Sequence, residues 1–363
     1  MATKRIGILT SGGDCAGLNA ALRAVVHRAI RNYGWRVFGI RDGSMGLMER
    51  PLDFVEFDLS LVTGDMLRLG GTILGTINKG DPFHYPMPDG TFRDRSSEFV
   101  EGYRELGIEA LVVIGGDGSM RILNQLCRQG GIPMVGIPKT IDNDVAQTDY
   151  AIGFSTALDV AGEAIDRLAP TAASHHRVMI LEVMGRDVGH IAINAGVAGG
   201  ADVILIPELP YTLEGIANKI ADVRAEGRNH ALMVVAEGCR TETGSSITTI
   251  QSGGEARYGG IGQYLAARLT DLVDAETRVT VLGHVQRGGV PSMRDRVIAS
   301  AFGVHAVDLI SAGRLGRVVA WQHGQVVDVP ITDVANITRA VDPFGTLAQT
   351  ARGLGIYIGE MSS

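Results

Sequence analysis

Short apolar runs alternate along the chain with longer segments whose apolar residues recur at helical spacing. Residues 5–10 (RIGILT) stop at Ser11-Gly12-Gly13, and residues 18–32 (LNAALRAVVHRAIRN) follow with apolar positions three and four apart. The alternation recurs with 36–40 (RVFGI), 110–114 (ALVVI) and 134–137 (MVGI). A second series has 177–183 (RVMILEV), 202–206 (DVILI), 231–236 (ALMVVA) and 278–282 (RVTVL). Continuous apolar runs bounded by glycine, with helices between them, predict an α/β fold built on parallel sheet covered on both faces. In open sheets of this kind ligands lie beyond the carboxyl ends of the strands, so the residues just past each run are the candidates for chemistry. Residues 240–262, rich in Gly, Ser and Thr, predict an exposed loop or insertion. Residues 345–363 are expected to close back on a second domain.

Composition narrows the class. A chain of 363 residues predicts about two domains. Lys plus Arg is 33 and Asp plus Glu 40, a net charge of −7 that argues against broad binding to nucleic acid or an anionic membrane. Glycine, at 49 residues, is about twice its usual share. Cys15, Cys127 and Cys239 fit no zinc spacing or disulfide framework and predict ordinary thiols of a reducing, cytoplasmic compartment. The opening MATKRIGILTSGGD is too short in apolar length for a signal peptide, and no run of apolar residues is long enough to span a membrane.

Three constellations carry chemistry. Ser11-Gly12-Gly13-Asp14-Cys15-Ala16-Gly17 lies between a strand and a helix, where backbone N–H groups can face an anion. It lacks the Gly-x-Gly-x-x-Gly and P-loop patterns and reads equally well as a tight turn. Gly115-Gly116-Asp117-Gly118-Ser119 puts a carboxylate among backbone donors, suiting a nucleotide phosphate with Mg²⁺ on Asp117, although Asp117 as a helix cap is the plain alternative. Thr140-Ile141-Asp142-Asn143-Asp144 sets two carboxylates just past a buried run, suited to a general base beside a group that orients a metal or cation. An acidic surface turn is the alternative. Arg186, Arg278 and Arg287 each lie at or beside the end of an apolar run, a placement that favours one phosphate pocket over a solvated face.

Taken in order, TSGGD, GGDGS, TIDND, MGRDVGH, AEG and GHVQRGG, continuing into PSMRDRVIASAFG, resemble the 6-phosphofructokinase family over most of the chain. The resemblance implies two doubly wound α/β domains with the active site in the cleft between them: 1–152 plus about 286–335 for the donor nucleotide, and about 153–285 plus 336–363 for the sugar phosphate. It implies phosphoryl transfer from Mg-ATP to the 1-hydroxyl of fructose 6-phosphate. Gly13, Gly116, Asp117, Gly118 and Ser119 match donor contacts, with Asp117 on Mg²⁺. Asp142 matches the base. Thr140, Ile141, Met184, Gly185, Arg186, Glu237, His284, Val285, Gln286 and Arg287 match the sugar pocket. Arg177 and Arg278 match arginines that reach across a subunit interface, so a homodimer or homotetramer with shared sites is implied.

The same family includes pyrophosphate users, which typically carry Asp where Gly118 stands and Lys where Lys139 stands. Gly118 leaves room for the α-phosphate of a nucleotide, and Lys139 serves either donor, so ATP is the expected donor and pyrophosphate the alternative; the mixed Gly118/Lys139 pattern resembles the family's subgroup with intermediate features. The segment Gly70-Gly71-Thr72-Ile73-Leu74-Gly75-Thr76-Ile77-Asn78-Lys79 departs from the family pattern. Asn78 replaces an arginine, and Lys79 is either its substitute or a loop charge. Arg23 persists from the effector site of allosteric members, but His27, Leu59 and Asn229 stand where basic residues are needed, implying weak or absent regulation by ADP and phosphoenolpyruvate. A non-catalytic sugar-phosphate sensor is the rival from another class. NAD kinases and diacylglycerol kinases share Gly-Gly-Asp-Gly, but an NAD kinase explains neither TIDND nor GHVQRGG.

Overall fold

A computed structural model describes residues 3–78, 80–250 and 256–360. The chain divides into two compact units. The first comprises 1–141, 145–156 and 287–338, the second 142–144, 157–286 and 339–363.

The first unit is built on an eight-stranded sheet. Its path runs Gln325–Pro330, Arg317–Gln322, Met134–Thr140, Ala110–Gly115, Arg5–Thr10, Arg36–Ile40, Phe54–Phe57, with Ile152–Gly153 paired off the path to Met134–Thr140. The interior pairs are parallel, and all six residues of Ala110–Gly115 are buried. That burial on both faces is why the run is apolar without alternation. Both edges depart from the predicted parallel pattern: Phe54–Phe57 and Gln325–Pro330 pair antiparallel with their neighbours. The hairpin joining Arg317–Gln322 to Gln325–Pro330 turns through His323 and Gly324, both at positive φ (51° and 79°), the signature of a type I′ turn. Leu18–Tyr33 covers this sheet with Leu18, Leu22 and Val25 buried, and stops at Gly34, whose left-handed backbone lets its N–H return to Ala29 and Ile30.

The second unit carries a four-stranded parallel sheet in the order Val203–Leu205, Ala231–Ala236, Val178–Val183, Thr277–Val281. Thr277–Val281 is an edge strand and only half-buried. The stretch 240–262, expected to be an exposed loop or insertion, contains an antiparallel pair, Thr248–Ile250 with Ala256–Tyr258. Near the end of the chain Tyr357 bridges to Val203. No helix of the described residues is long and apolar enough to cross a membrane.

Candidate active site

In the first unit the two glycine turns lie side by side because their strands do. Thr10 stands in register with Ile114, and the Ser11 N–H donates to the Ile114 carbonyl at 2.9 Å. Gly12 has φ of 83°, a conformation L side chains rarely adopt, and a Cβ there would sit 3.0 Å from Ser119 Oγ and 3.3 Å from Lys139 Nζ. Lys139 is buried in the next strand and its Nζ donates to the Gly13 carbonyl. Arg287 Nη1 donates to the Asp14 carbonyl at 3.3 Å, and a Cβ on Gly13 would lie 2.8 Å from it. Two backbone turns, a hydroxyl, an ammonium and a guanidinium thus lie close together, the chemistry of an anion site. Arg287, matched by resemblance to the sugar pocket, stands here in the first unit against the first glycine turn.

Asp117 opens the helix Asp117–Gly130. Among the described residues no group of three or more His, Cys, Asp or Glu side chains could hold a metal. A single carboxylate beside a phosphate-type cradle nevertheless fits Mg²⁺, which takes few protein carboxylates and fills its shell with phosphate oxygens and water. A Cβ on Gly118 would meet no heavy atom within 4 Å, and its φ lies outside the left-handed range. The backbone therefore does not require glycine there. Asn78 is exposed at the end of a segment tied to the first turn: the Gly12 N–H donates to Ile77, and Thr76 Oγ1 donates to the Gly12 carbonyl. Lys79 lies outside the described residues.

Two residues that the sequence reading missed fix this frame. Asn19, buried on the first helix, donates Nδ2 to the carbonyls of Leu69, Gly70 and Gly71 and accepts from the Ile73 N–H. Asp295 is fully buried and accepts from the Gly153 and Thr156 N–H groups and the Thr156 hydroxyl. Gly153 pairs in turn with Thr140.

In the second unit Asp142 and Asp144 are both 7% exposed. The turn between them is held by Arg339, whose guanidinium donates twice to the Asn143 carbonyl (3.2 and 2.9 Å) and whose N–H donates to the Asp144 carbonyl (2.7 Å). The Arg339 carbonyl accepts from His190 Nε2 at 2.8 Å, so the last residue of MGRDVGH supports TIDND. Met184–Arg186 follow the strand Val178–Val183. The Met184 N–H donates to Gln286 Oε1 at 2.7 Å and the Arg186 N–H to Glu237 Oε1 at 3.1 Å. Gly238 must lack a side chain, since a Cβ would fall 1.9 Å from the Arg186 carbonyl. Gln286 is buried, with its side chain occupied by Met184 and the Ala157 carbonyl, whereas His284 and Val285 are exposed in the same short turn.

Arg177 and Arg278 are not with this group. Arg177 precedes Val178–Val183 and Arg278 is the second residue of the adjacent parallel strand, in register with Met179. Both donate to Glu276, which they hold below the usual carboxylate range. Five residue steps of strand, about 17 Å at ~3.3 Å each, separate that amino end from the carboxyl end where Arg186 stands. The expectation that Arg278 shares a strand end with Arg186 is therefore corrected: Arg278 stands at the start of its strand.

Burial pushes the His190 imidazole down to about 4 from its usual 6.5. The folded chain keeps it neutral while the unfolded chain protonates it first. Stability present above about 6.5 is therefore lost progressively as pH falls toward about 4. Denaturant midpoints are expected to drop between pH 7 and 5 more steeply in the wild type than in His190→Gln, by up to ~1.4 kcal/mol per pH unit. Parallel pH curves would contradict the buried neutral ring.

A family model described as Phosphofructokinase matches residues 5–310. The ATP-dependent 6-phosphofructokinase 1 of a Nostoc species is 58% identical over 358 residues, covering 99% of this chain and 99% of the relative. The protein of that name from a Synechocystis species is 56% identical over 357 residues, covering 98% and 99%. Among solved structures, the phosphofructokinase of Pichia pastoris in the T-state matches with a TM-score of 0.77 at 32% identity. That match covers 98% of this chain and 39% of the longer yeast chain.

Proposed function

The chain belongs to the phosphofructokinase family, and on that premise we propose that it is an ATP-dependent 6-phosphofructokinase. It moves the γ-phosphoryl group of ATP to the 1-hydroxyl of fructose 6-phosphate, giving fructose 1,6-bisphosphate and ADP, the phosphoryl transfer of glycolysis. The observation that carries the donor assignment is Gly118, a glycine the backbone does not need, facing open space where an α-phosphate would require it.

The glycine turns and Ser119 bind and orient the donor phosphates, and Lys139 and Arg287 offset their charge. Bound at Asp117, Mg²⁺ supplies charge neutralisation on the transferred group. Asp142 takes the proton of the 1-hydroxyl as that oxygen bonds to the γ-phosphorus and the bond from this phosphorus to the β–γ bridging oxygen breaks. Met184, Gly185, Arg186, Glu237, His284 and Arg287 hold the sugar phosphate. A coupled assay with fructose 6-phosphate should show turnover with ATP and none with pyrophosphate. Turnover with pyrophosphate alone would reverse the donor assignment, and none with either would favour a sensor.

The enzyme works as a homo-oligomer with shared sites. Support comes from Arg177 and Arg278, which stand at the strand ends opposite Arg186, further away than an arginine side chain reaches. Asp142→Asn and Arg278→Ala should each be nearly inactive. Mixed dimers re-formed from equal amounts should recover about a quarter of wild-type activity, since half are mixed and each has one intact site. Activity no higher than that of the two variants alone would contradict sharing.

Regulation by ADP or phosphoenolpyruvate is weak or absent. Arg23 and His27 are hydrogen-bonded to the Thr63 and Val62 carbonyls and Asn229 to the Ala173 carbonyl, and Leu59 offers no charge. Either compound should leave the velocity curve in fructose 6-phosphate unmoved, and a pronounced shift would count against this. The three cysteines are free and buried, which supports a cytoplasmic setting.

A further inference from the structure

The turn Asp142-Asn143-Asp144 has an unusual backbone. Asn143 has φ of 54°, in the left-handed region, and all three residues are buried. A non-glycine residue adopts that conformation at a cost and keeps it only where its surroundings fix it. Arg339 supplies the fixing. Its Nε and Nη2 both donate to the Asn143 carbonyl, and its backbone N–H donates to the Asp144 carbonyl. Two successive peptide planes just past Asp142 are thereby pinned.

Arg339 is itself held from behind. Its carbonyl accepts from His190 Nε2, and two residues on the Val341 N–H donates to Glu208 Oε1 at 2.8 Å. The Glu208 carboxylate also accepts the Gly189 N–H, at 3.0 and 3.1 Å from its two oxygens. Gly189 and His190 end the segment that begins with Met184, Gly185 and Arg186. That segment is tightly folded: the Val188 N–H donates to the Gly185 carbonyl at 3.1 Å, and a Cβ on Gly189 would fall 2.3 Å from Ile206. Within the second unit, residues 339–341 therefore join the sugar segment to the acidic turn.

We propose that Arg339 is a positioning residue for phosphoryl transfer: by pinning the backbone beside Asp142 it sets the direction of that carboxylate toward the sugar held by residues 184–186. The proposal rests on the reading of Asp142 as the base. Arg339 acts through Asp142 and need not touch either substrate. A misplacement of about 1 Å at a reacting group can cost on the order of 10²-fold in rate, so a clamp of this kind has leverage on turnover. A guanidinium suits the task because its rigid fork puts two N–H groups on one carbonyl, whereas a lysine brings a single rotatable ammonium.

The test is a double-mutant cycle in steady-state kinetics on the full chain, with the concentration of folded enzyme and the thermal midpoint measured beside it. Arg339→Ala should lower kcat about 10- to 100-fold while the KM for fructose 6-phosphate stays within about three-fold. Arg339→Lys should fall between Arg339→Ala and the wild type, and it carries the same cycle if Arg339→Ala does not fold. Combined with Asp142→Asn, either substitution should cost little more, leaving kcat within about three-fold of Asp142→Asn alone, because there is no base left to aim. Losses that multiply in the double variant would overturn the positioning role while leaving the base in place. A lowered thermal midpoint with kcat per folded enzyme unchanged would also overturn it, making Arg339 a support of the fold only. Near-normal kcat in Asp142→Asn would overturn the base itself, and its positioning with it.

Discussion

Asp142→Asn is expected to lose about 10²–10⁴ in kcat, the usual contribution of a positioned general base, while KM for fructose 6-phosphate stays within a few-fold. The amide keeps the shape of the carboxylate but cannot take a proton. Arg339 holds the turn through the carbonyls of Asn143 and Asp144, backbone contacts that the substitution leaves in place. Steady-state kinetics against both substrates check the split. Near-normal kcat would remove Asp142 from its role. A rise in KM with kcat unchanged would make it a binding group only.

Gly118→Asp is expected to act on the donor alone. A Cβ there meets no heavy atom within 4 Å, and a carboxylate in the first turn of a helix is favoured by the dipole, so the fold should be unharmed. Facing a bound α-phosphate it repels a like charge, by about 1 kcal/mol in bulk water and roughly 4 at an effective dielectric of 20 for charges 4 Å apart. The KM for ATP should rise by about 5-fold to 1,000-fold across that range, with the KM for fructose 6-phosphate and the thermal midpoint little changed. An unchanged KM for ATP would mean that the donor does not pass over Gly118.

The sequence made the interior of both sheets readable for a physical reason. Strands buried on two faces, such as Ala110–Gly115 and Ala231–Ala236, must be apolar throughout. Edge strands have no such obligation. Phe54–Phe57 and Gln325–Pro330 are partly exposed, and His323-Gly324 is not the Asn-Gly or Asp-Gly pair that announces a two-residue hairpin. The glycine turns were legible because they follow directly on strands. Their supports were not. Arg339 and Asn143 are 196 residues apart, and Asp295 meets Thr156 across 139, with no local pattern to link them. Asn19 had one available signal, a carboxamide inside the apolar face of LNAALRAVV, which is costly to bury unless it holds something. Arg278 was misplaced because a run of letters does not say at which end of the strand the charge stands until the register is known.

The central claim is that one buried carboxylate strips the 1-hydroxyl of fructose 6-phosphate for attack on ATP held by the glycine turns. A crystal structure with fructose 6-phosphate and a non-hydrolysable ATP analogue tests it most directly. The account predicts an Asp142 carboxylate oxygen within hydrogen-bond distance of the 1-hydroxyl, and donor phosphates against Gly13 and Gly116–Ser119. A 1-hydroxyl bound to some other group, with Asp142 turned away from it, would contradict the account.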